Sequence, residues 1–197
     1  MSAMREADRP EIFLVRHGET DWSRAGRHTG RTDVPLNATG VAEAKALAAK
    51  LAGRRFALVL TSPLARALET CRLAGLGDRA QVRDELLEWD YGDAEGLTTS
   101  EIRSERPGWS LWRDGVAGGE TLAQVGARVD RLLPELETAG GDVAVFAHGH
   151  VLRVLGARYV GLEAGDGRLL ALDPATVSVL GFEHEWRVIL AWNEGCT

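Results

Sequence analysis

Short apolar runs alternate along this chain with longer segments of helical periodicity. Three continuous apolar runs are typical of strands buried on both faces, at 12–15, 57–60 and 143–147. A short strand is predicted at 81–83. Two β-rich runs joined by a polar turn predict a hairpin at the C-terminal end, at 176–183 and 187–192.

Helical segments lie between these strands. Asn37 is a suitable N-cap residue, and Pro63 suits the start of a helix. Pro107 and Pro134 should break or kink the helical segments that contain them. The predicted helices cover about 39–52, a stretch after Pro63, parts of 97–114, a stretch from 121, and about 150–160. The alternation predicts an α/β fold, a three-layer sandwich with a mostly parallel central sheet, helices on both faces and a C-terminal β-hairpin.

Composition limits the class of protein. We expect one catalytic domain over 11–197 and a loose N-terminal tail over 1–10. A net charge of −6 and a pI near 5.4 argue against a nucleic-acid partner. No apolar stretch reaches the ~18 residues of a membrane span, so no membrane partner is expected. Cys71 and Cys196 form no CxxC pair, which favours a reducing, cytoplasmic location. The C-terminal hairpin offers an edge strand that could pair with a second copy of the chain, so a homodimer is one of the expected states.

Basic side chains follow three of the predicted strands. Arg16-His17-Gly18 ends the first, and His148-Gly149-His150 ends the strand at 143–147. Arg66 lies on the first turn of the helix that follows the strand at 57–60. Ligands of open α/β sheets bind at the carboxyl ends of strands, and a cationic cluster there needs an anion. Because guanidinium groups match phosphate oxygens, a phosphoryl group is the expected guest.

The residue types then indicate a chemistry. A neutral His17 is a nucleophile for phosphorus if its other ring nitrogen is held as N–H, as by a backbone carbonyl. Nearby arginines disfavour its protonation, and Gly18 allows the backbone to approach closely. Arg16, Arg66 and His148 would stabilise charge on the phosphoryl oxygens.

The leaving alcohol also needs a proton donor. The segment "LLEWDYGDAEG", residues 86–96, is dense in acidic residues. Its spacing alone does not choose among the candidates, which are Glu88, Asp90, Asp93 and Glu95.

Four motifs in this order resemble those of the histidine phosphatase superfamily, also called phosphoglycerate mutase-like. They are "LVRHGETDW", "SPLARALET", "LLEWDYGDAEG" and "FAHGH", and the resemblance runs from about residue 12 to about 160. It implies a phosphohistidine intermediate on His17, with Glu88 as the catalytic acid and Arg66 and His148 as partners. It also implies no metal and no other cofactor.

The resemblance implies further contacts with the substrate. Thr29 and Gly30 lie in a segment similar to the one that closes over the phosphate, and Gly149 belongs to the last motif. Ser23 stands where many members carry asparagine, with a shorter reach. Other residues could serve the site or only the surface and the packing, namely Arg24, Arg27, Arg31, Trp89, Tyr91, Trp109, Trp112 and Glu120.

The resemblance covers both hydrolases and mutases. Only a short stretch separates Gly96 from the motif "GGET" at 118–121, whereas mutases tend to carry a long insertion there. We therefore expect a phosphatase for a small phosphomonoester. Glu88 would act as proton donor and then as general base, with activity favoured at mildly acidic pH. The alternatives are a mutase, a non-catalytic phospho-ligand binding module, and a metal hydrolase that uses His17, His148, His150 and Glu88.

Overall fold

The computed structural model describes residues 9–195, which contain one six-stranded sheet. The strands are β1 (Ile12–Arg16), β2 (Leu58–Thr61), β3 (Gln81–Val82), β4 (Val143–Ala147), β5 (Val177–Glu183) and β6 (Trp186–Glu194). Their spatial order is β3-β2-β4-β1-β5-β6. The first four are parallel, and β5 and β6 form an antiparallel hairpin beside β1. The predicted mostly parallel sheet with a C-terminal hairpin is confirmed.

Eight α-helices surround this sheet in the described part of the chain. Asn37 caps one of them by accepting a hydrogen bond from the Gly40 N–H at 2.9 Å, as its sequence position predicts. Helical structure is interrupted at Pro107-Gly108, and Pro134 lies in the first turn of a separate short helix. The helices are α1 (Asp21–Arg24), α2 (Ala38–Leu51), α3 (Ala65–Leu73), α4 (Thr99–Glu105), α5 (Leu111–Asp114), α6 (Leu122–Asp130), α7 (Leu133–Glu137) and α8 (Gly149–Tyr159).

The central strands are buried on both faces, which explains their continuous apolar runs. In β1, Ile12 and Leu14 belong to the core that contains residues of α6 and α8. Phe13 and Val15 point the other way, into the core that contains residues of α2 and α3. Alternate side chains of one strand therefore fill two cores, and helices cover both faces.

The parallel order brings three strand ends together. β2, β4 and β1 are neighbours. The His17 N–H donates to the Ala147 carbonyl at 3.0 Å, and the Ser62 N–H donates to the Phe146 carbonyl at 2.9 Å. The residues that follow these strands therefore lie side by side at one edge of the sheet.

Two further sequence predictions concern the N-terminal tail and membrane-spanning segments. The predicted loose tail falls, except for residues 9 and 10, outside the residues that the structure describes. Within residues 9–195, no helix combines the length and the apolar character that crossing a bilayer requires.

Candidate active site

His17 lies directly after β1 and borders a cavity of about 320 Å³. Its Nδ1 is 2.7 Å from the Gly18 carbonyl oxygen. Because a carbonyl oxygen only accepts, Nδ1 must carry the proton, and Nε2 keeps its lone pair. Burial, followed by the charges of Arg16 and Arg66, holds the pKa of His17 well below its usual value. The ring is therefore neutral, with Nε2 as its available nitrogen.

Gly18 is fixed against the first turn of α2. A β-carbon on Gly18 would lie 2.4 Å from the Gly40 carbonyl oxygen, so only glycine fits. The Gly18 N–H donates to the Thr70 hydroxyl at 3.1 Å. The backbone that holds the His17 ring is thus held by α2 and α3, as the predicted close approach requires.

His148 lies beside His17, with 5.2 Å between the ring centroids. Arg66 Nε donates to His148 Nδ1 at 3.0 Å, so the proton of this ring is on Nε2, which lies 2.7 Å from the Ser62 hydroxyl oxygen. Burial and then the charge of Arg66 lower the pKa of His148 well below its usual value. His148 is therefore a neutral hydrogen-bond donor next to the nucleophile.

Arg66 is fully buried and donates to four groups of the protein. Besides His148, it donates to the carbonyl oxygens of Thr29, Gly30 and Thr32 at 2.9–3.1 Å. In this arrangement Arg66 fixes the tautomer of His148 and the position of the segment 29–32. Its direct contact with a phosphoryl group stays a prediction.

Arg16 offers a donor to the cavity. Its Nη1 donates to the Leu172 carbonyl, whereas its buried Nε has no hydrogen-bond partner among the described residues. A β-carbon on residue 149 would lie 3.3 Å from Arg16 Cζ, so Gly149 gives the guanidinium its place. Since a buried unpaired donor is costly, the arrangement suits an anion in the cavity.

Glu88 is the one acidic side chain of its segment that borders the cavity among the described residues. Its carboxyl oxygens accept the backbone N–H groups of Trp89, His150 and Val151 at 2.9–3.0 Å. Two of these donors belong to the first turn of α8, which follows His148. Glu88 is thus held at the cavity that His17 also borders, by a helix more than 60 residues further along the chain.

The other acids of the segment have different partners. Asp90 accepts the Gly92 N–H at 3.0 Å. Glu95 accepts the N–H groups of Gly30 and Thr32 at 2.9–3.1 Å. The predicted phosphate contact through the Gly30 N–H would require that group to leave Glu95, and Gly30 does not border the cavity. Sequence reasoning gave no such role to Glu95.

Two predicted hydroxyl contacts border the cavity but have internal partners. The Ser23 hydroxyl donates to the Thr20 carbonyl at 3.0 Å and accepts the Thr20 N–H at 2.9 Å, as part of a capping box for α1. The Thr29 hydroxyl donates to the Arg27 carbonyl at 3.1 Å. Their contact with a substrate stays a prediction.

Arg24, Arg27, Arg31 and Glu120, which the sequence assigned either to the site or to the surface, differ in position. Arg27 borders the cavity, whereas Arg24 and Arg31 do not. Arg24 pairs with Asp21 at 2.8 Å. Glu120 forms ion pairs with Arg31 and Arg128 at 3.3 and 2.8 Å, and it does not border the cavity.

Aromatic residues form one wall. Trp89, Tyr91 and Trp109 are at most 3% exposed and belong to the core, and Tyr91 and Trp109 also border the cavity. Trp89 does not border the cavity, in agreement with the packing interpretation. Trp112 is partly buried and borders the cavity. The Tyr91 hydroxyl oxygen lies 2.6 Å from His150 Nδ1, and burial holds the pKa of His150 well below its usual value.

Ser62, Arg103 and Arg153 are among the residues near this site to which sequence reasoning gave no role. Ser62 contacts His148, and Arg103 and Arg153 border the cavity. A signal existed for Arg153, because on a helix a residue three positions after His150 shares its face. Arg103 lies on α4, and nothing in its sequence context indicated a cavity.

The geometry does not support the metal alternative. His148 uses both ring nitrogens for Arg66 and Ser62, and His150 Nδ1 faces Tyr91. Across residues 9–195, no group of three or more His, Cys, Asp or Glu side chains has an arrangement that could hold a metal ion.

Comparison with known proteins agrees with this geometry. The family model described as histidine phosphatase superfamily (branch 1) matches residues 12–195. The chain is 43% identical over 178 residues to an acid phosphatase of Mycobacterium tuberculosis, covering 88% of this chain and 87% of the relative. It is 38% identical to a 2,3-bisphosphoglycerate-dependent phosphoglycerate mutase of Mesorhizobium japonicum, covering 79% and 88%. A solved structure of a Mycobacterium tuberculosis open reading frame superposes with a TM-score of 0.89 at 38% identity, covering 95% of this chain and 99% of that one. The chain therefore belongs to branch 1 of the histidine phosphatase superfamily and is a histidine phosphatase.

Proposed function

We propose that this enzyme hydrolyses small phosphomonoesters through a phosphohistidine on His17, without a metal ion. The observation that carries the proposal is the state of His17. Its Nδ1 is tied to Gly18, its pKa is lowered, and it borders the same cavity as Arg16 and Glu88. A neutral imidazole with a free lone pair is the form that attacks phosphorus.

The first half-reaction phosphorylates the enzyme. The Nε2 lone pair of His17 forms a bond to phosphorus while the bond from phosphorus to the ester oxygen breaks. Glu88 gives its proton to that oxygen, and the alcohol leaves. Arg16 Nε, which has no partner within the described chain, is the donor that would hold a phosphoryl oxygen, where negative charge is concentrated. The Nε2–H of His148 would do the same only after leaving the Ser62 hydroxyl oxygen.

The second half-reaction releases phosphate. Glu88 is now a carboxylate and takes a proton from water as the water oxygen attacks phosphorus. The bond between phosphorus and His17 Nε2 breaks, which restores the neutral imidazole and the protonated Glu88. Three backbone donors keep the Glu88 carboxyl group in place through this exchange of roles.

Water rather than a second hydroxyl is the proposed acceptor. Residues 97–117, between Glu88 and the motif at 118–121, form only the short helices α4 and α5. The acid phosphatase relative also has the higher identity. The mutase relative favours phosphoryl transfer back to substrate as the second candidate. Assaying isomerisation of phosphoglycerate beside release of phosphate separates the two.

The test is phosphate release from p-nitrophenyl phosphate with a chelator present. His17→Ala should lower kcat by about 10³-fold or more. The matched control is His28→Ala, which removes an imidazole from the same cavity and should change kcat less than about 10-fold. Wild-type enzyme quenched during turnover of labelled substrate should carry an acid-labile, base-stable phosphoryl group. Equal activity of His17→Ala and wild type would refute the proposal, and loss of wild-type activity in chelator would revive the metal alternative.

Two further expectations rest on the sequence alone. The cysteine pattern favours a cytoplasmic location, and the edge of the hairpin, which is β6, offers a strand that could pair with a second copy in a homodimer. Both stay predictions.

A further inference from the structure

The peptide group between Gly18 and Glu19 forms a hydrogen bond at each of its two ends. Its carbonyl oxygen accepts the His17 Nδ1–H at 2.7 Å. Its N–H, which belongs to Glu19, donates to Glu43 Oε2 at 2.8 Å. The C=O and N–H of a trans peptide point in opposite directions, so the two bonds lie on opposite sides of one planar group. A carboxylate of α2 is therefore joined to the nucleophile through a single peptide group.

Glu43 acts on this peptide group from outside the catalytic cavity. It lies on α2, is partly buried and does not border the cavity. Among residues 9–195, no arginine, lysine or histidine forms an ion pair with it. Its charge also reaches the site, because burial lowers the pKa of Arg16 and Glu43 is one of the charges that oppose this shift. Glu43 thus presents an unneutralised carboxylate to the Glu19 N–H.

A carboxylate at the N–H end of a peptide group makes its carbonyl oxygen a stronger acceptor. Hydrogen bonds to ionised groups are roughly twice as strong as neutral ones, and hydrogen bonds in a chain polarise one another. Burial and the charges of Arg16 and Arg66 lower the pKa of His17, and the bond to the Gly18 carbonyl opposes them. This bond therefore favours positive charge on the ring, and Glu43 strengthens it.

The His17 ring becomes positively charged during the first half-reaction. The Nε2 lone pair forms the bond to phosphorus while the ester bond breaks, which leaves a phosphorylated imidazolium that shares its positive charge with Nδ1–H. A stronger acceptor at Nδ1–H stabilises this charge where it develops.

We propose that Glu43 is a positioning residue for the nucleophile, and that it stabilises the phosphohistidine through the peptide group between Gly18 and Glu19. Carboxylate, peptide group and imidazole form one hydrogen-bonded chain, in which the peptide group takes the place of a direct contact between the two side chains. This inference rests on the proposed function, because it needs a phosphohistidine on His17.

The two half-reactions should respond differently to the loss of this charge. Phosphorylation creates positive charge on the ring, whereas dephosphorylation removes it when the bond between phosphorus and Nε2 breaks. Glu43→Gln keeps an oxygen that can accept the Glu19 N–H but removes the charge. We expect this variant to phosphorylate about 3- to 10-fold more slowly than wild type, and to lose its phosphoryl group at least as fast.

Two measurements test this expectation. A single turnover of ³²P-labelled p-nitrophenyl phosphate after rapid mixing gives both rates, as the appearance and the decay of the phosphoryl enzyme. Proton NMR gives a readout that does not depend on catalysis. The His17 Nδ1–H resonance, identified by its absence in His17→Ala, should move upfield in Glu43→Gln, because a weaker hydrogen bond deshields the proton less. The urea midpoint should match that of wild type.

Glu69→Gln is the matched control. It makes the same substitution on α3, where Glu69 pairs with Arg72 at 2.6 Å, and should keep both rates and the resonance. A wild-type phosphorylation rate and an unmoved resonance in Glu43→Gln would overturn the proposal. Equal slowing of both half-reactions would also overturn it, because that result indicates a displaced ring.

A second variant decides if Glu43→Gln does not fold. Glu43→Asp keeps the charge but shortens its reach to the Glu19 N–H, so phosphorylation should again be slower and the resonance should again move upfield. Wild-type values for both would overturn the proposal. Failure of the phosphatase function itself would be distinct, since wild-type enzyme would then carry no phosphoryl group at all.

Discussion

Replacing Gly40 with alanine is expected to destabilise this protein, although alanine normally stabilises a helix. Gly40 lies in the first turn of α2 and is buried. A β-carbon there would lie 2.0 Å from the Glu19 carbonyl oxygen and 2.7 Å from the Glu19 nitrogen. Both atoms belong to the backbone, so no side-chain rotation can relieve the contact.

Two opposing terms set the size of the effect. Helix propensity favours alanine over glycine by about 1 kcal/mol. Forcing a methyl group into a packed site costs about 1–3 kcal/mol, and the contact at Glu19 is severe. We expect the free energy of unfolding to fall by about 1–2 kcal/mol. Activity should fall as well, because Glu19 adjoins Gly18, whose carbonyl holds His17 Nδ1. A displacement of ~1 Å at a nucleophile can cost ~10²-fold in rate.

Urea unfolding and kcat on p-nitrophenyl phosphate measure both effects. Thr39→Ala is the matched control, because Thr39 is the exposed neighbour in the same helix turn and should be neutral or slightly stabilising. If Gly40→Ala unfolds at the same or a higher urea concentration than wild type, with unchanged kcat, the reasoning about the contact between α2 and the loop after β1 is wrong.

Three further predictions follow from the site. Glu95→Ala should lower kcat about 10-fold with little change in KM, because the segment 29–32 loses the bonds from its Gly30 and Thr32 N–H groups and is then held by Arg66 without Glu95. An unchanged kcat would refute this positioning role of Glu95. Glu88→Gln should lower kcat by about 10²–10⁴-fold, whereas Asp93→Asn, an exposed change in the same segment, should not. Stability should fall as pH drops below about 6.5, because the unfolded chain binds protons that the buried, neutral His17, His148 and His150 do not. Each contributes up to about 1.4 kcal/mol per pH unit, and urea midpoints that stay constant from pH 7 to 5 would contradict the three lowered pKa values.

The position of the site at the strand ends could be predicted from local sequence. Arg16 and His148 each follow a continuous apolar run, which is typical of a strand buried on both faces. Parallel strands place their carboxyl ends at the same edge of the sheet, and β1 and β4 are parallel neighbours. The protonation of His17 on Nδ1 could also be predicted from local sequence, because the carbonyl group that accepts this proton belongs to the next residue, Gly18. What local sequence could not show is the task of Arg66. Its partners are spread over the segment 29–32 and His148, and only the folded chain brings them together.

The acidic segment 86–96 shows why the roles of individual site residues could not be predicted from local sequence. Spacing presented four carboxylates as equivalent candidates for one role, and the resemblance to a family was needed to choose Glu88. In the structure the acids differ because of partners far away in sequence, the first turn of α8 for Glu88 and the segment 29–32 for Glu95. Both attachments bear on the site of His17, since Glu88 borders the same cavity and the segment 29–32 is held by Arg66, whose charge helps to keep His17 neutral. A dense acidic segment can thus contain one carboxyl group that faces the substrate and another that fixes the groups around it. Only the distribution of backbone N–H donors tells them apart.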